Sequence, residues 1–579
     1  MEIQSNSWTR RLAHHKDQVF LTLTLLIGAL VGLAVVAFIV LTGRLGARMY
    51  PPGGAPWRRL IVPVLGSLST GYLLARYFPN ARGSGIPQTK AALFVRDGRI
   101  LLRTVLGKFL CCTASMASGI TLGREGPSVQ VGAGIASVLG RRLGLDTDQI
   151  KALIPVGAAA AVAAAFNTPI AGVLFALEEI MGDLHAPVLG SAVLSSATAW
   201  MVLHLLLGDE PLFHVPAYEL VHGVEFAVYA VLGVVGGLVS VAFVKLLLVM
   251  RAWFQALPKW TAWFQPVAGG LVVGIMGWFV PQSLGIGYQY VGEALNGNMA
   301  LQLMALLTVL RLVSTATCYS SGNAGGIFGP SLFIGAMLGG TVGSVAHAVL
   351  PGYTAPAGVY ALVGMGTAFA GIVRVPLTSV IMIFEVTRDY LIIVPLMISN
   401  LISFLISRRL QPKPIYVALS SQDGIYLPTE ETRAREGSIH VVRAMRTDLE
   451  PLSRNSTAAE ALDRMRRAGA DAWPLVEDGQ LAGMITTAQL EASGAAAATT
   501  TLSEFLPALS STRQRADQLP YVHEDTSLDL ALQRMGDSGI NALPVVSRDN
   551  LRQLRGIVML PDVLRAYGIG AAPPGSTGA

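Results

Sequence analysis

The chain has 579 residues, of which 52% are hydrophobic and 13% charged, and its formal net charge is +6. This composition excludes an ordinary soluble protein, because apolar stretches of about 20 residues recur and each is long enough to span a bilayer. Basic residues flank the first and last of these stretches: Arg10, Arg11, Lys16, Arg408, Arg409 and Lys413. The charge is therefore no sign of nucleic-acid binding, and the bias of basic residues towards the cytoplasm predicts two cytoplasmic termini.

The apolar stretches predict a polytopic helical membrane domain over residues 19–410, after a cytoplasmic segment at 1–18. Val19–Gly43 has no charge in 25 positions, so it is too long for a signal-peptide core and is predicted to be retained. Glycine or proline interrupts several later stretches, which is tolerated where the backbone is buried or lines a cavity. These stretches are Leu60–Phe78, Leu101–Leu122, Val188–Leu207, Val224–Met250, Trp263–Pro281, Leu301–Tyr319, Ser331–Leu350 and Leu391–Ser407.

An internal repeat divides this domain into halves at about 19–210 and 220–410. At an offset of 203, Lys108, Ser118-Gly119, Gly126-Pro127 and Gly132 match Arg311, Ser321-Gly322, Gly329-Pro330 and Gly335. At an offset of 207, Gly157, Pro169 and Glu178 match Gly364, Pro376 and Glu385. Duplicated halves of this kind build transporters whose substrate site lies between broken helices near the midplane.

The most unusual stretch is Ser118–Pro127, which places Arg124 and Glu125 between glycines in an apolar region. Glycine lets backbone amides approach a ligand, and the N–H groups at a helix start bind anions. The matched stretch Ser321–Pro330 has Ile327-Phe328 in place of Arg124-Glu125. If the halves face each other, two helix starts converge on an anion path and only one brings a carboxylate.

These residues resemble the CLC family of chloride channels and chloride/proton antiporters. The resemblance rests on Gly83-Ser-Gly-Ile-Pro87, Gly123-Arg-Glu-Gly-Pro127, Gly325-Gly-Ile-Phe-Gly-Pro330, Gly157–Glu179 and Tyr416, in the family's order. It implies an α-helical CLC-type architecture of two inverted halves with broken helices. It also implies a homodimer in the cell membrane, with one ion path per subunit.

The resemblance implies a chloride site formed by the Ser84 and Tyr416 hydroxyls and the backbone amides of Ile327 and Phe328. Neutral donors suit transport, because a fixed lysine would hold the ion too long.

The resemblance makes Glu125 the gate. When ionised, it would occupy an anion site near the amides of Arg124 and Gly126, and when protonated it would swing away.

Glu179 resembles the internal proton-relay glutamate of the exchangers, where channel members usually carry a non-ionisable residue. The alternative is that Glu178 and Glu179 face a cytoplasmic surface at a helix end. Glu178 and its repeat partner Glu385 are predicted to hydrogen-bond backbone symmetrically. Lys108 and Arg311 are predicted to lie behind the pore without touching the ion.

After residue 410 the sequence predicts a linker at 411–438, apart from Tyr416, and then a second repeat. Ala461–Met465 matches Ala531–Met535 at an offset of 70, and each copy is predicted to fold as helix, strand, strand and helix. The pair resembles tandem CBS domains at 440–492 and 516–570, with a connector at 492–501 and a disordered tail at 571–579.

CBS pairs often bind adenine nucleotides, and here Asp562 matches the aspartate that commonly bonds the ribose. The first copy has Gln489 at that position, and the expected threonine is Thr486 in the first copy but Met559 in the second. Neither half-site is complete, so a structural or dimerising role is the alternative.

The leading functional prediction is chloride/proton exchange, with a passive chloride channel as its nearest rival. A CBS-containing divalent-cation transporter would need clustered intramembrane carboxylates, which the sequence lacks. The nine histidines and three cysteines show no metal-ligand spacing, and there is no nucleophile–base constellation or phosphate loop. Neither a metal nor an enzymatic activity is therefore expected.

Overall fold

The computed structural model describes residues 16–184, 187–209, 212–213, 215, 221–425, 427, 439–448, 450–477, 479–492, 501–502, 520–547 and 550–569. These residues form two compact units, and the division falls after Leu427. Residues 1–15, most of the predicted connector and the predicted tail lie outside the described residues.

The first unit is helical. Its α-helices, in chain order, are α1 Lys16–Met49, α2 Arg58–Arg76, α3 Ile86–Phe94, α4 Leu102–Ala117, α5 Glu125–Arg142, α6 Thr147–Phe166, α7 Pro169–Phe175, α8 Leu189–Leu207, α9 Glu225–Ala256, α10 Pro266–Phe279, α11 Tyr288–Leu295, α12 Leu301–Ser320, α13 Phe328–Val349, α14 Ala357–Ile372, α15 Pro376–Thr387, α16 Ile393–Leu410 and α17 Ile415–Gln422. A short π-helical turn, Ala176–Met181, continues α7.

Among the described residues, seven helical stretches are long and apolar enough to cross a membrane. Every span that the sequence predicts overlaps one of the helices above. The sequence did not predict α6 as a span, because its first turn is polar and Lys151 leaves an uncharged apolar stretch of only Ala152–Phe166. Helices α14 and α15 were also missed, since each is shorter than a full span.

Matched glycines bring corresponding helices together in both halves. A Cβ on Gly132 of α5 would lie 2.3 Å from the Gly157 carbonyl oxygen of α6, and one on Gly335 of α13 would lie 2.2 Å from that of Gly364 of α14. No larger residue fits at either crossing without a backbone shift. The same residue pairs therefore build the same helix contact in each half, as a duplication requires.

The predicted linker is wrong over residues 415–422, which form α17. This helix starts after Pro414, whose extended backbone precedes the first turn, and it buries Ile415, Tyr416 and Leu419. Pro412, Pro414 and the polar residues near them predict a loop because they end α16 and begin α17. Helix α17 is therefore part of the membrane unit.

The second unit contains two copies of the predicted helix–strand–strand–helix pattern, which confirms that prediction. The elements are β1 Met445–Arg446, α18 Ala458–Ala468, β2 Ala472–Glu477, β3 Gln480–Thr486, α19 Thr487–Ala492, α20 Leu528–Ser538, β4 Ala542–Val546, β5 Leu554–Met559 and α21 Leu560–Ala566. Strands β2 and β3 pair antiparallel. Strand β5 pairs antiparallel with both β4 and β1, so the start of the first predicted domain (440–492) completes the sheet of the second.

Candidate anion-transport site

Three glycine motifs meet at one point in the first unit. Gly123 and Gly326 exchange two backbone hydrogen bonds, of 2.7 and 2.8 Å, so the starts of α5 and α13 lie side by side. A Cβ on Gly126 would lie 2.6 Å from the Ser84 carbonyl oxygen, and one on Gly85 would lie 2.3 Å from that of Gly126. The start of α3 is therefore packed against the start of α5. The predicted convergence of helix starts is present, with a third helix start beside it.

The hydroxyls of Ser84 and Tyr416 are fully buried. Within the described part of the chain, neither oxygen has a hydrogen-bond partner. Gly83 and Gly85, with φ of 88° and 105°, give Ser84 its sharp turn before α3. The Tyr416 hydroxyl lies close to the Ser84 hydroxyl and within electrostatic range of both Glu179 and Glu125. Burying an unbonded hydroxyl is costly, so the two side chains suit a ligand that accepts hydrogen bonds.

Ile327 and Phe328 are also fully buried, at the first turn of α13. The first N–H groups of a helix have no acceptor within it, so this turn can donate to an anion. The Phe328 ring packs at centroid distances of 4.7, 5.4 and 4.2 Å against three other rings, those of Phe166, Phe175 and Phe369. This aromatic packing fixes the backbone of the turn.

Glu125 begins α5 and is fully buried. Its Oε2 accepts the backbone N–H of Gly329 at 3.2 Å, so the carboxylate of one half rests on the helix start of the other. The Arg124 Nε atom lies 4.0 Å from Oε1. The carboxylate thus occupies the kind of position that an anion would take at a helix start.

Tyr288, at the start of α11, is a site residue that the sequence analysis missed. Its hydroxyl donates a hydrogen bond to Oε1 of Glu125. The sequence held a signal for it, because Gly285-Ile-Gly287 before Tyr288 matches Gly83-Ser-Gly85 at an offset of 202. Extending the repeat by these residues would have placed Tyr288 beside the path.

Glu179 is only 6% exposed and does not face a surface, so that alternative is wrong for this residue. Its Oε1 lies 2.7 Å from the Nζ atom of Lys90, which is itself 7% exposed. Lys90 belongs to α3, the helix that begins beside Ser84. Lys90 was not predicted from the sequence, although a lysine in an apolar helix is itself a signal of a buried partner.

Comparison with known proteins gives the family. The family model described as voltage gated chloride channel, the CLC family, matches residues 65–408, and the CBS domain model matches residues 439–490 and 516–569. The chain belongs to the CLC family.

This CLC chain is 33% identical over 355 residues to the H(+)/Cl(-) exchange transporter ClcA of Vibrio campbellii, covering 60% of this chain and 76% of that protein. The crystal structure of a slow cyanobacterial Cl-/H+ antiporter is similar with a TM-score of 0.65 and 26% identity, covering 70% of this chain and 97% of that one. The crystal structure of a eukaryotic CLC transporter has a TM-score of 0.60 at 19% identity, over 94% of this chain and 97% of that one. This last likeness shows that the fold extends through the CBS pair.

Two half-buried carboxylates tie the halves of the CLC domain together. Glu178 accepts the N–H groups of Leu377 and Thr378 at 3.3 and 2.8 Å, and also the Thr378 hydroxyl at 2.6 Å. Glu385 accepts the N–H groups of Ile170 and Ala171 at 2.9 and 2.7 Å. Each glutamate caps the helix that starts in the opposite half, which confirms the predicted symmetric backbone role.

Two buried cations hold the loops that enter the path. Lys108 donates to the carbonyls of Ala81 and Gly83 at 2.9 and 2.6 Å. Its repeat partner Arg311 donates to the carbonyls of Gly285 and Ile286 at 2.5 and 2.6 Å. These bonds orient the loops before α3 and α11, and place both cations behind the backbone of the path.

In the CBS pair, the predicted nucleotide residues already have protein partners. Asp562 receives two hydrogen bonds from the Arg446 guanidinium, at 2.7 and 2.8 Å, and a third from Arg565 at 3.1 Å. Hydrogen bonding to Asp562 raises the pKa of Arg446 above its ordinary value. In the first copy, Thr486 and Gln489 bond each other across the first turn of α19.

Proposed function

We propose that this chain exchanges chloride for protons across the cell membrane, as a transporter and not an enzyme. The observation that carries the proposal is the buried Glu125 carboxylate, which rests on a backbone N–H where two helices begin. Beside it, the Ser84 and Tyr416 hydroxyls are buried without a described partner. A carboxylate and a chloride ion need the same donors, so one can replace the other.

The proposed cycle follows from this competition. Ionised Glu125 blocks the path by occupying an anion position at the start of α13. Protonation removes the charge that the helix start favours, so the side chain leaves and chloride takes its place. Ser84, Tyr416 and the amides of Ile327 and Phe328 then hold chloride with neutral donors, which permits release.

Glu179 separates exchange from the rival function, a passive chloride channel. Glu179 is a buried acid in the membrane unit, and a buried acid of this kind is suited to passing protons. Its ion pair with Lys90 supports the ionised state between proton transfers. Tyr416 lies within electrostatic range of both glutamates, so a proton route that starts at Glu179 would reach the path near the chloride site.

The test is the reversal potential of the purified chain in a planar bilayer, measured in a pH gradient at equal chloride. An exchanger gives a reversal potential that shifts with the pH gradient. A channel gives one that depends on chloride alone, and that outcome would reject exchange.

For the CBS pair we propose a structural role over nucleotide binding. A ribose at Asp562 would have to displace the Arg446 guanidinium, and breaking a paired buried carboxylate is costly. Thermal unfolding of the full chain with ATP, ADP and AMP tests this. An unchanged midpoint is expected, whereas a rise with any of the three that is lost in Asp562→Ala would establish the nucleotide site.

We further propose a homodimer with both termini cytoplasmic. Cys111, Cys112 and Cys318 are buried, so single cysteines introduced near each terminus can be labelled against a low background. Labelling from the cytoplasmic side only, and a dimer mass in detergent, are the expected results. Labelling of either terminus from outside, or a monomer mass, would reject the corresponding part.

A further inference from the structure

Tyr288 engages the gate carboxylate directly. Its hydroxyl donates to Oε1 of Glu125, while Oε2 accepts the N–H of Gly329 at 3.2 Å. Both carboxylate oxygens therefore have a donor, one from the path backbone and one from a side chain. For the carboxylate to leave the path, the bond to Tyr288 in this position must break or rearrange.

The Tyr288 ring is fixed from several sides. The Phe213 ring meets it edge-on at a centroid distance of 5.6 Å, and the Arg124 guanidinium lies 5.6 Å from its centroid. The residue before it, Gly287, has a φ of 80°, a conformation that L residues rarely adopt. Arg311 holds the carbonyls of the preceding loop. The hydroxyl is thus a preorganised donor and not a mobile surface group.

The duplication gives this contact a counterpart. Lys108 holds the Gly83-Ser-Gly85 loop in the first half as Arg311 holds the Gly285-Ile-Gly287 loop in the second. The first loop presents the Ser84 hydroxyl, and the second ends at Tyr288. Each half therefore delivers one hydroxyl to the path from a loop that a buried cation orients.

Tyr288 also stands between the gate and open space. It lines a cavity of about 550 Å³ together with Tyr50, Arg58, Arg59 and Tyr290. The Tyr288 side chain thus contacts both this cavity and the Glu125 carboxylate.

We propose that Tyr288 is a positioning residue that latches the ionised gate in the anion path. This rests on the proposed role of Glu125. A hydroxyl bonds an ionised carboxylate more strongly than a neutral carboxyl group, so the latch favours the closed, ionised gate. Removing one hydrogen bond to a charged group changes such an equilibrium by roughly tenfold or more.

The test is Tyr288→Phe, which keeps the ring and removes the hydroxyl. Chloride efflux from proteoliposomes is measured over a series of symmetric pH values. Without the latch the gate takes up its proton at lower proton concentration, so the pH of half-maximal efflux rises by about one unit for a tenfold change. Tyr290→Phe, which lines the same cavity and has no described bond to Glu125, should leave the midpoint unchanged.

A second comparison separates positioning from a general structural effect. In the Glu125→Gln background there is no carboxylate to latch, so adding Tyr288→Phe should not alter efflux at any pH. An unchanged midpoint in the single variant overturns the proposal, as does an equal loss at all pH values in both backgrounds. Proton flux is recorded in the same vesicles. Wild-type vesicles that move chloride without protons would reject exchange yet leave the efflux midpoint as a valid test of the latch.

Discussion

At the scale of single residues, the buried charged side chains of the membrane unit each have a specific polar partner. The Glu125 carboxylate accepts a backbone N–H, and Glu179 forms an ion pair with Lys90 at 2.7 Å. Lys108 and Arg311 donate hydrogen bonds to backbone carbonyls. An unpaired buried charge is strongly disfavoured, so each of these groups needs the partner it has. The sequence could identify the ionisable residues because they are rare in apolar stretches. It could not give their partners, because Lys90 and Glu179 are 89 positions apart and no local pattern joins them.

The Lys90–Glu179 ion pair predicts how substitutions at these two residues change both thermal stability and proton flux. Lys90→Met removes the ion-pair partner of the buried Glu179 carboxylate, which should cost about 3–5 kcal/mol and lower the thermal unfolding midpoint. Adding Glu179→Gln removes that charge and should recover much of the loss. The Glu179→Gln variant alone should suppress proton flux while chloride flux persists.

Thermal unfolding of the four proteins in detergent, with paired flux assays, checks this prediction. If the double variant is no more stable than Lys90→Met, the two side chains are not energetically coupled. If Glu179→Gln pumps protons normally, Glu179 has only a structural role.

At the scale of elements, the site is built from helix starts that the duplication repeats. Glycine at the crossings lets α5 approach α6, and α13 approach α14, and the first turns of α5 and α13 meet through Gly123 and Gly326. The sequence predicted this convergence because the motifs recur at a fixed offset. It did not predict α17, since prolines and polar residues at its ends resemble a linker, nor α11, whose eight residues are too few for a membrane span. Tyr288 was missed for that second reason.

Glu178 and Glu385 each cap a helix of the opposite half, and these caps can be tested by substitution. Glu385→Gln exchanges one acceptor oxygen for an N–H₂ donor that faces the backbone N–H groups of Ile170 and Ala171. Losing a charge-assisted cap on these partly exposed N–H groups should cost about 1–2 kcal/mol, and Glu178→Gln should cost a similar amount. Glu293→Gln, a half-buried site whose contact is with Gln289, should have little effect.

Thermal unfolding measures these three variants side by side. Since the two caps are related by the duplication, their effects should be similar in size and should leave proton coupling intact. If either cap variant keeps normal stability but no longer moves protons at a fixed ratio to chloride, that glutamate belongs to the proton route instead.

At the scale of the whole molecule, one chain joins a CLC domain to a CBS pair, and each unit arises from its own duplication. The sequence predicted both units because repeats and family motifs extend over long distances. In the CLC domain the two halves differ at one decisive position, where Arg124-Glu125 stands opposite Ile327-Phe328. Under the proposed role of Glu125, this difference gives the two matched halves a single gate. In the CBS pair the same kind of divergence leaves Asp562 without a matching partner in the first copy.

The central claim is that chloride and protons compete through Glu125. The most direct measurement is proton movement in proteoliposomes under an outward chloride gradient, with chloride and pH electrodes in the same bath and the two pH values equal at the start. Outward chloride flow should drive protons inward against the gradient that develops, at a fixed ratio to chloride. Glu125→Gln should release chloride and move no protons. Wild-type protein that releases chloride without moving protons, or a Glu125→Gln variant that still pumps them, would contradict the account.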